Sequence, residues 1–151
     1  MLGNSKVLRI AAVAFVSVSL AACTTTGGYF SPQASVDAAK LDATSADGVA
    51  ADMVARLAEH VGPGTGTIAL RSDNSAFAAA FDKHLRSWGY AVDPAATGAG
   101  AILLAYTVDT ADGQVLARIS TSSVELARSY QATTTGAVPS SPLSVLKRGE
   151  T

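Results

Sequence analysis

The first 23 residues constrain this chain most, because they separate an export segment from the part that can fold. A basic start with Lys6 and Arg9 precedes an apolar run over residues 10–22, which ends at Cys23, the only cysteine of the 151 residues. A positive start, an apolar stretch and small residues at its end are typical of a secretory signal peptide. The run has thirteen residues, whereas a membrane-spanning helix needs roughly 20. We therefore predict a signal peptide over residues 1–22 and no transmembrane anchor.

The end of that run resembles the lipobox of bacterial lipoproteins. Residues 20–23 read Leu-Ala-Ala-Cys, with the small side chains of Ala21 and Ala22 directly before the thiol of Cys23. The resemblance implies cleavage between Ala22 and Cys23, diacylglycerol on the Cys23 sulfur and a further acyl chain on the new amino group. Because each buried CH₂ contributes ~0.8 kcal/mol, two or three chains anchor a protein stably. A plain signal peptide that ends near a cysteine is the alternative.

Charge and cysteine content argue against several classes of function. The chain has 11 Lys and Arg and 12 Asp and Glu, and loss of two basic residues with the signal peptide leaves a net charge of −3. This balance gives no electrostatic basis for direct binding to nucleic acid. With the one cysteine assigned to lipid, we expect neither a disulfide nor a Cys/His metal cluster. No cofactor is expected.

Composition divides the mature chain into three parts. Residues 23–44 are predicted to form the lipidated cysteine and a flexible tether, because this stretch is small, polar and aperiodic. A folded domain is predicted over residues 45–136. A mobile tail is predicted over residues 137–151, which hold two prolines and several serines. The tether would let the domain stand away from the membrane surface.

A first helix is predicted at the start of the domain. Apolar residues recur there every four positions, at Val49, Met53, Leu57 and Val61. Ser45 or Asp47 would cap the helix and Gly62 would end it. Asp52 and Arg56 lie four residues apart on the other face, in the order that favours an ion pair.

A second helix is predicted about fifteen residues later. Its shared apolar face consists of Phe77, Phe81, Leu85 and Trp88. Aromatic residues at this spacing indicate a packed core rather than a ligand site. Asp73 or Asn74 would cap the helix, and Gly89 would end it.

The remaining apolar segments predict a sheet. Strands are expected over residues 65–71, 90–92, 101–109, 114–120 and 124–134. The first two flank the second helix and form a β-α-β unit with parallel strands, and the turn at Asp112-Gly113 begins an antiparallel meander. We therefore predict an α+β fold, with two helices packed on a small mixed sheet of four to five strands. Arg118 and Arg128 are expected on the solvent side of the sheet.

The search for catalytic or binding motifs gives weak candidates. The glycine-rich segment 62–67 follows a helix and precedes a strand, the reverse of a phosphate-binding loop, so we interpret it as a turn. His60 and His84 come late in the two helices, where they complement the helix dipole, and neither lies in a metal-ligand pattern. Ser72, His84 and Asp109 would be the residues of a hydrolase triad, but no nucleophile-elbow motif surrounds Ser72. We predict no catalytic residue.

Several segments together resemble the TrbH family, the conjugal transfer lipoproteins of the rhizobial and agrobacterial plasmid type. These segments follow the lipobox and are residues 49–70, 85–92, 113–118 and 141–146. The resemblance implies a part in mating-pair formation, the type IV secretion apparatus that passes plasmid DNA between cells. Other mating-pair formation proteins would then be the partners. The resemblance supplies no catalytic residue and only Cys23 as a lipid site.

Two hypotheses follow. The first is a non-enzymatic envelope component, lipid-anchored, facing the periplasm and contributing to assembly of the transfer channel. Thr24, rather than Asp, follows Cys23, which favours the outer membrane over the inner one. The second is a periplasmic enzyme or ligand-binding lipoprotein that acts on the cell envelope. A polar cleft with converging carboxylates, or with His60 or His84, would favour the second hypothesis.

Overall fold

The computed structural model describes residues 34–148, which form two helices and a mixed eight-stranded sheet. In chain order the elements are β1 (Val36–Asp37), α1 (Ala43–Val61), β2 (Thr67–Leu70), α2 (Ala76–Ser87), β3 (Ala91–Val92), β4 (Ala101–Ala111), β5 (Gln114–Ser120), β6 (Val124–Thr133), β7 (Gly136–Pro139) and β8 (Ser144–Lys147). The predicted α+β class is confirmed, with more strands than the four to five expected. Ala22 and Cys23 lie outside the described residues.

Helix α1 buries the predicted apolar stripe but begins three residues before the nearer of the two predicted starts. Asp42 is the N-cap, and its Oδ1 accepts hydrogen bonds from the backbone N–H groups of Thr44 at 2.9 Å and Ser45 at 3.0 Å. Ser45 and Asp47, the predicted caps, therefore lie inside the helix. Gly62 ends α1 as predicted, at φ 86°, a left-handed backbone that glycine adopts without strain.

Helix α2 also has a different cap from the predicted ones. Ser75 is the N-cap, and its hydroxyl accepts a 3.1 Å hydrogen bond from Ala78 N–H. Asp73 and Asn74 lie in the connection that precedes it. Phe77 and Phe81 are fully buried as expected, but the side chain of Trp88 is 42% exposed. The prediction for Trp88 was wrong because the helix ends at Ser87, so Trp88 leaves the apolar face.

The sheet combines the two predicted motifs. Strand β2 pairs in parallel with both β3 and β4, which confirms the parallel strands of the β-α-β unit. Strands β4, β5 and β6 form the antiparallel meander. Its first turn has positive φ at both Asp112 (51°) and Gly113 (76°), as a two-residue hairpin turn requires. The strand order is β3-β2-β4-β5-β6-β7.

Three short strands lie in segments that the sequence assigned to a tether and a tail. Strand β1 adds in parallel to β4, within the predicted tether 23–44. Strands β7 and β8 both pair antiparallel with β6, within or beside the predicted tail 137–151. Strands β1 and β8 pair with residues distant in sequence, which local composition does not reveal, whereas β7 pairs with the adjacent end of β6 across a short turn. Two parts of the predicted tail, in β7 and β8, are therefore strands of the sheet.

Both helices pack on one face of the sheet and enclose the core. Leu104, Tyr106 and Val108 of β4 point to this face and are buried. The ring of Tyr106 contacts Phe77 and Phe81 of α2 edge-on, with centroids 4.8 and 5.8 Å away. This aromatic cluster joins α2 to the middle of the sheet, and it confirms the core assignment of Phe77 and Phe81 but not of Trp88.

Candidate functional site

A carboxylate on α1 is the centre of a polar cluster that joins this helix to β6. Asp52 Oδ2 accepts a 2.7 Å hydrogen bond from Tyr130 Oη and a 3.0 Å bond from Arg128 Nη1. Arg56, one turn further along α1, approaches Asp52 Oδ1 with its Nε at 3.5 Å. The predicted Asp52–Arg56 pair therefore exists, as one part of a larger network. Arg128 Nε also donates to the carbonyl of Ser141 at 3.0 Å.

This cluster corrects the prediction for Arg128. On β6, Leu126, Arg128 and Tyr130 alternate with the outer residues, so all three point toward the helices. The side chains of Asp52 and Arg128 are 19% and 20% exposed. Arg118 on β5, in contrast, is 53% exposed and on the solvent side, as expected.

Burial shapes the ionisation of this cluster. Burial in the core, and then its hydrogen bond to the Asp52 carboxylate, raise the pKa of Tyr130. A phenol with a raised pKa stays protonated and remains a hydrogen-bond donor. Tyr130 and Arg128 of β6 therefore both donate to the Asp52 carboxylate of α1. This arrangement holds α1 against β6.

A second carboxylate cluster joins the start of the domain to α2. Tyr106 Oη donates to Asp73 Oδ1, and Asp37 N–H donates to Asp73 Oδ2 at 2.5 Å. Asp37 in turn accepts backbone N–H groups from Lys40 at 2.8 Å and Leu41 at 3.3 Å. Strand β1, the loop before α2 and strand β4 are thereby connected.

The three ionisable groups of this cluster differ in their environments. Burial raises the pKa of Asp37, against the effect of its backbone hydrogen bonds. Burial also acts to raise the pKa of Asp73, but hydrogen bonds from Tyr106, Ser75 and the Asp37 N–H outweigh it and hold that pKa below its usual value. Burial and the bond to Asp73 raise the pKa of Tyr106 to about 12. Asp73 is therefore the charged acceptor of the cluster.

The two helices also meet at an ion-pair cluster. Asp47 Oδ1 on α1 accepts a 2.6 Å bond from Lys83 Nζ and lies 3.0 Å from His84 Nε2, both on α2. The bonds from Lys83 and then His84 lower the pKa of Asp47. Beside the cluster is an open groove of about 760 Å³, lined by Asp47, Lys83 and mostly alanine, glycine and threonine residues of α1, α2 and β7.

The residues considered for a hydrolase triad do not meet. His84 contacts Asp47, while Ser72 Oγ accepts a hydrogen bond from Asn74 N–H and Asp109 Oδ1 accepts one from Thr110 N–H. Between residues 34 and 148 no hydrogen bond joins any two of Ser72, His84 and Asp109. His60 lies in the last turn of α1, the position expected for it.

Residues 34–148 form neither a metal-binding site nor a phosphate-binding loop. No group of three or more His, Cys, Asp or Glu residues within 34–148 is placed to hold a metal ion. The segment 62–67 forms a turn between α1 and β2, as predicted. At Gly66, with φ 74°, an added Cβ would lie 2.6 Å from the carbonyl oxygen of Gly100. The glycine therefore permits close backbone approach.

Sequence reasoning missed the two carboxylate clusters. The bonds of Asp52 span 76 and 78 residues and the Tyr106–Asp73 bond spans 33, so no local pattern reports them. One signal was present for Arg128. It lies two residues from both Leu126 and Tyr130, and side chains at this spacing in a strand point to the same face.

Fold and clusters together define a class of protein. It is a small α+β domain whose charged and tyrosine side chains tie the helices to one face of a mixed sheet. None of the helices within residues 34–148 is long and apolar enough to span a membrane.

Comparison with known proteins gives the family. The model of the family described as conjugal transfer protein TrbH matches residues 24–149, and the chain belongs to this family. A probable conjugal transfer protein TrbH from Sinorhizobium fredii (strain NBRC 101917 / NGR234) is 47% identical over 111 residues, which cover 69% of this chain and 75% of that protein. No solved structure matches the chain.

Proposed function

We propose that this chain is a lipid-anchored, non-enzymatic component of the conjugative plasmid transfer apparatus, with a role in mating-pair formation and type IV secretion. The observation that carries the proposal is membership of the TrbH family over residues 24–149. Anchoring rests on the lipobox-like residues 20–23. The domain would face the periplasm and meet other mating-pair formation proteins there.

The polar clusters support a structural role. Within residues 34–148, Asp52 and Asp73 each accept several hydrogen bonds from side chains or backbone of other elements. A general acid or base, in contrast, must reach a substrate proton. Among residues 34–148 the lining of the groove contains one carboxylate, Asp47, and neither His60 nor His84, so it is not the cleft of converging carboxylates that an enzyme would need. The alternative, a periplasmic enzyme or ligand-binding lipoprotein, therefore has no specific observation in its favour.

The position of the domain limits how far it can stand from a membrane. Eleven residue steps separate Cys23 from Ala34, the first described residue. Since an extended chain spans at most ~3.6 Å per residue, this segment reaches roughly 40 Å. Thr24 after the cysteine favours the outer membrane. We propose that the domain works close to that surface.

Substitution Cys23→Ser tests the anchor and its importance. The variant should fail to incorporate labelled fatty acid, should leave the membrane fraction and should lower plasmid transfer frequency in matings. Thr25→Ser, two residues away, is the matched control and should keep all three properties. Normal transfer by an unlipidated Cys23→Ser protein would contradict the anchoring role.

Crosslinking from cells that carry the transfer system tests the assembly role. We expect the domain to be recovered with other transfer proteins, and we expect transfer to fall when those contacts are lost. A deletion strain that transfers plasmid as well as its parent would contradict the proposed role. Fractionation on a density gradient separates the outer-membrane assignment from an inner-membrane location.

A further inference from the structure

Strand β8 differs from the other edge strands of the sheet. All four residues of β8 are exposed, and Val145 and Leu146 are 40% and 46% exposed although both are large and apolar. Among residues 34–148, β8 pairs only with β6. An exposed apolar edge strand is a template for pairing with another strand.

The other edge strands have features that hinder pairing with another strand, and β8 lacks these features. Strands β1 and β3 have two residues each, which leaves little backbone to pair. Strand β7 ends in Pro139, which has no N–H group to donate. Very short edges and proline are common devices against edge-to-edge pairing. Strand β8, in contrast, has four residues and no proline, and within residues 34–148 no strand pairs with its outer edge.

The pairing of β8 with β6 fixes which backbone groups face outward. Arg148 N–H donates to Ser123 C=O at 2.9 Å, and the register pairs Leu146 with Glu125. Hydrogen-bonded and non-hydrogen-bonded pairs alternate along an antiparallel ladder. Residues 144 and 146 therefore bond to β6. The N–H and C=O groups of Val145 and Lys147 point away from the sheet.

We propose that β8 is a dimerisation edge, at which two copies of this chain pair their β8 strands antiparallel, with Leu146 opposite Leu146 of the second copy. A two-fold axis perpendicular to the sheet runs through this pair. Val145 of each copy then lies opposite Lys147 of the other, and both are hydrogen-bonded pairs. The two sheets join into one, with the helices of both copies on the same face.

The residues of β8 select this register. Centred on Leu146, the joint uses every outward N–H and C=O of Val145 and Lys147 in four interstrand hydrogen bonds. Centring on Val145 would instead need residue 143, which lies outside the strand. Centring on Lys147 would place two like charges opposite each other, which is unfavourable. In the Leu146 register, the β7 strands of the two copies also lie at opposite ends of the paired β8 strands, so they do not collide.

The small size of the joint predicts weak association in solution. Four residues per copy bury far less than the ~1,200 Å² of total surface typical of stable complexes. If both copies are anchored through Cys23, as proposed above, their confinement to one membrane raises the effective concentration. Dimers should therefore be more abundant in membranes than in dilute detergent solution, although the edge itself does not depend on the anchor.

Disulfide formation by Leu146→Cys in the full chain, in cells, tests the proposal. Directly opposite residues in a non-hydrogen-bonded pair have Cα atoms about 4.5 Å apart, within the range that disulfides bridge. A mild oxidant should convert much of this variant to a species of twice the monomer's mass on a non-reducing gel. The unsubstituted chain, which retains Cys23, controls for crosslinking through that residue.

Val138→Cys is the matched control for exposure. Val138 on β7 is 51% exposed, and in the proposed dimer the two copies of residue 138 lie about 40 Å apart along the joined strands. It should therefore crosslink only weakly. Equal crosslinking at residues 138 and 146 would overturn the proposal. A Leu146→Cys product with the mass of a different protein would also overturn it, because the occupant would then not be a second copy.

A backbone variant tests the register. Adding Lys147→Pro to Leu146→Cys removes an outward N–H from each copy while leaving the bonds to β6, so crosslinking should fall roughly tenfold or more. Lys147→Ala in the same background keeps the N–H and should leave the yield unchanged. An unchanged thermal unfolding midpoint shows that the proline variant is folded. Equal losses for proline and alanine would contradict pairing through the backbone.

Discussion

Tyr130 on β6 donates a 2.7 Å hydrogen bond from its Oη to Oδ2 of Asp52 on α1, 78 residues earlier in the chain. Tyr130 is fully buried, so the bond crosses the interface between the helix layer and the sheet. Arg128 shares the same carboxylate. The contact fixes the position of α1 over the last strand of the meander.

Loss of this hydroxyl should destabilise the domain. Tyr130→Phe keeps the ring but removes a donor from a charged acceptor, and bonds to charged groups contribute about 1.5–3 kcal/mol. We expect a decrease in the free energy of unfolding of that size, measured by urea titration. Tyr90→Phe removes a bond to the neutral carbonyl of Gly62 and should cost about 0.5–1.5 kcal/mol. A larger loss at Tyr90 would contradict this account.

Two arginines in neighbouring strands should differ in their contribution to stability. Arg128→Met removes a partner from the half-buried Asp52 and should cost about 2 kcal/mol, less than a fully buried pair because water still reaches the site. Arg118→Met removes an exposed ion pair with Glu125, 3.5 Å long, and should cost less than about 0.5 kcal/mol. Similar values for both in urea titrations would show that Arg128 is not a structural tie.

Substitution of two glycines with positive φ should distinguish the cost of backbone strain from the cost of a steric clash. Gly98 has φ 85° and open space around an added Cβ, whereas Gly66 has φ 74° and a Cβ that would collide with the carbonyl oxygen of Gly100. Gly98→Ala should therefore cost only the conformational strain, about 1 kcal/mol. Gly66→Ala should cost more, because β2 and the start of β4 must also separate. Thermal unfolding of both variants measures the difference, and equal midpoints would contradict it.

Stability in acid should depend on Asp73. Its pKa is held below the ordinary value of 3.8 in the folded state. A carboxyl group with a depressed folded pKa contributes stability above its unfolded pKa and loses it as the pH falls through the folded pKa. Asp73→Asn should therefore flatten the decline in the free energy of unfolding below about pH 4. Urea titrations at several acidic pH values provide the test, and an unchanged slope would contradict it.

In alkali, the folded protein should resist ionisation of its buried tyrosines. The pKa of Tyr106 is raised to about 12 from 10.0, and the pKa of Tyr90 and of Tyr130 is also raised by burial. Since the unfolded chain releases these protons first, stability should fall as pH rises from about 10 through 12. Tyrosinate absorbance of the native protein checks this, and Tyr106→Phe should remove the part that titrates near pH 12. A native titration complete near pH 10 would contradict the burial of these groups.

The sequence by itself determined the elements that local pattern controls. The four-residue apolar period identified α1, and the Asp112-Gly113 pair identified the hairpin turn between β4 and β5. The β-α-β order required parallel strands, which β2 and β3 are. In the first two cases the physical cause acts within one element or turn, and in the third it acts within one β-α-β unit.

Only the tertiary structure decided features that depend on distant partners. Strand β8 has four residues and gains its order from pairing with β6, so its sequence resembles a tail. The partner of the inward-facing Arg128 is Asp52, 76 residues earlier in the chain. The spacing of apolar residues and the residue preferences of turns are local properties, so they can be predicted from the sequence. Pairing of short strands and of buried charges is nonlocal, so only the folded chain determines it.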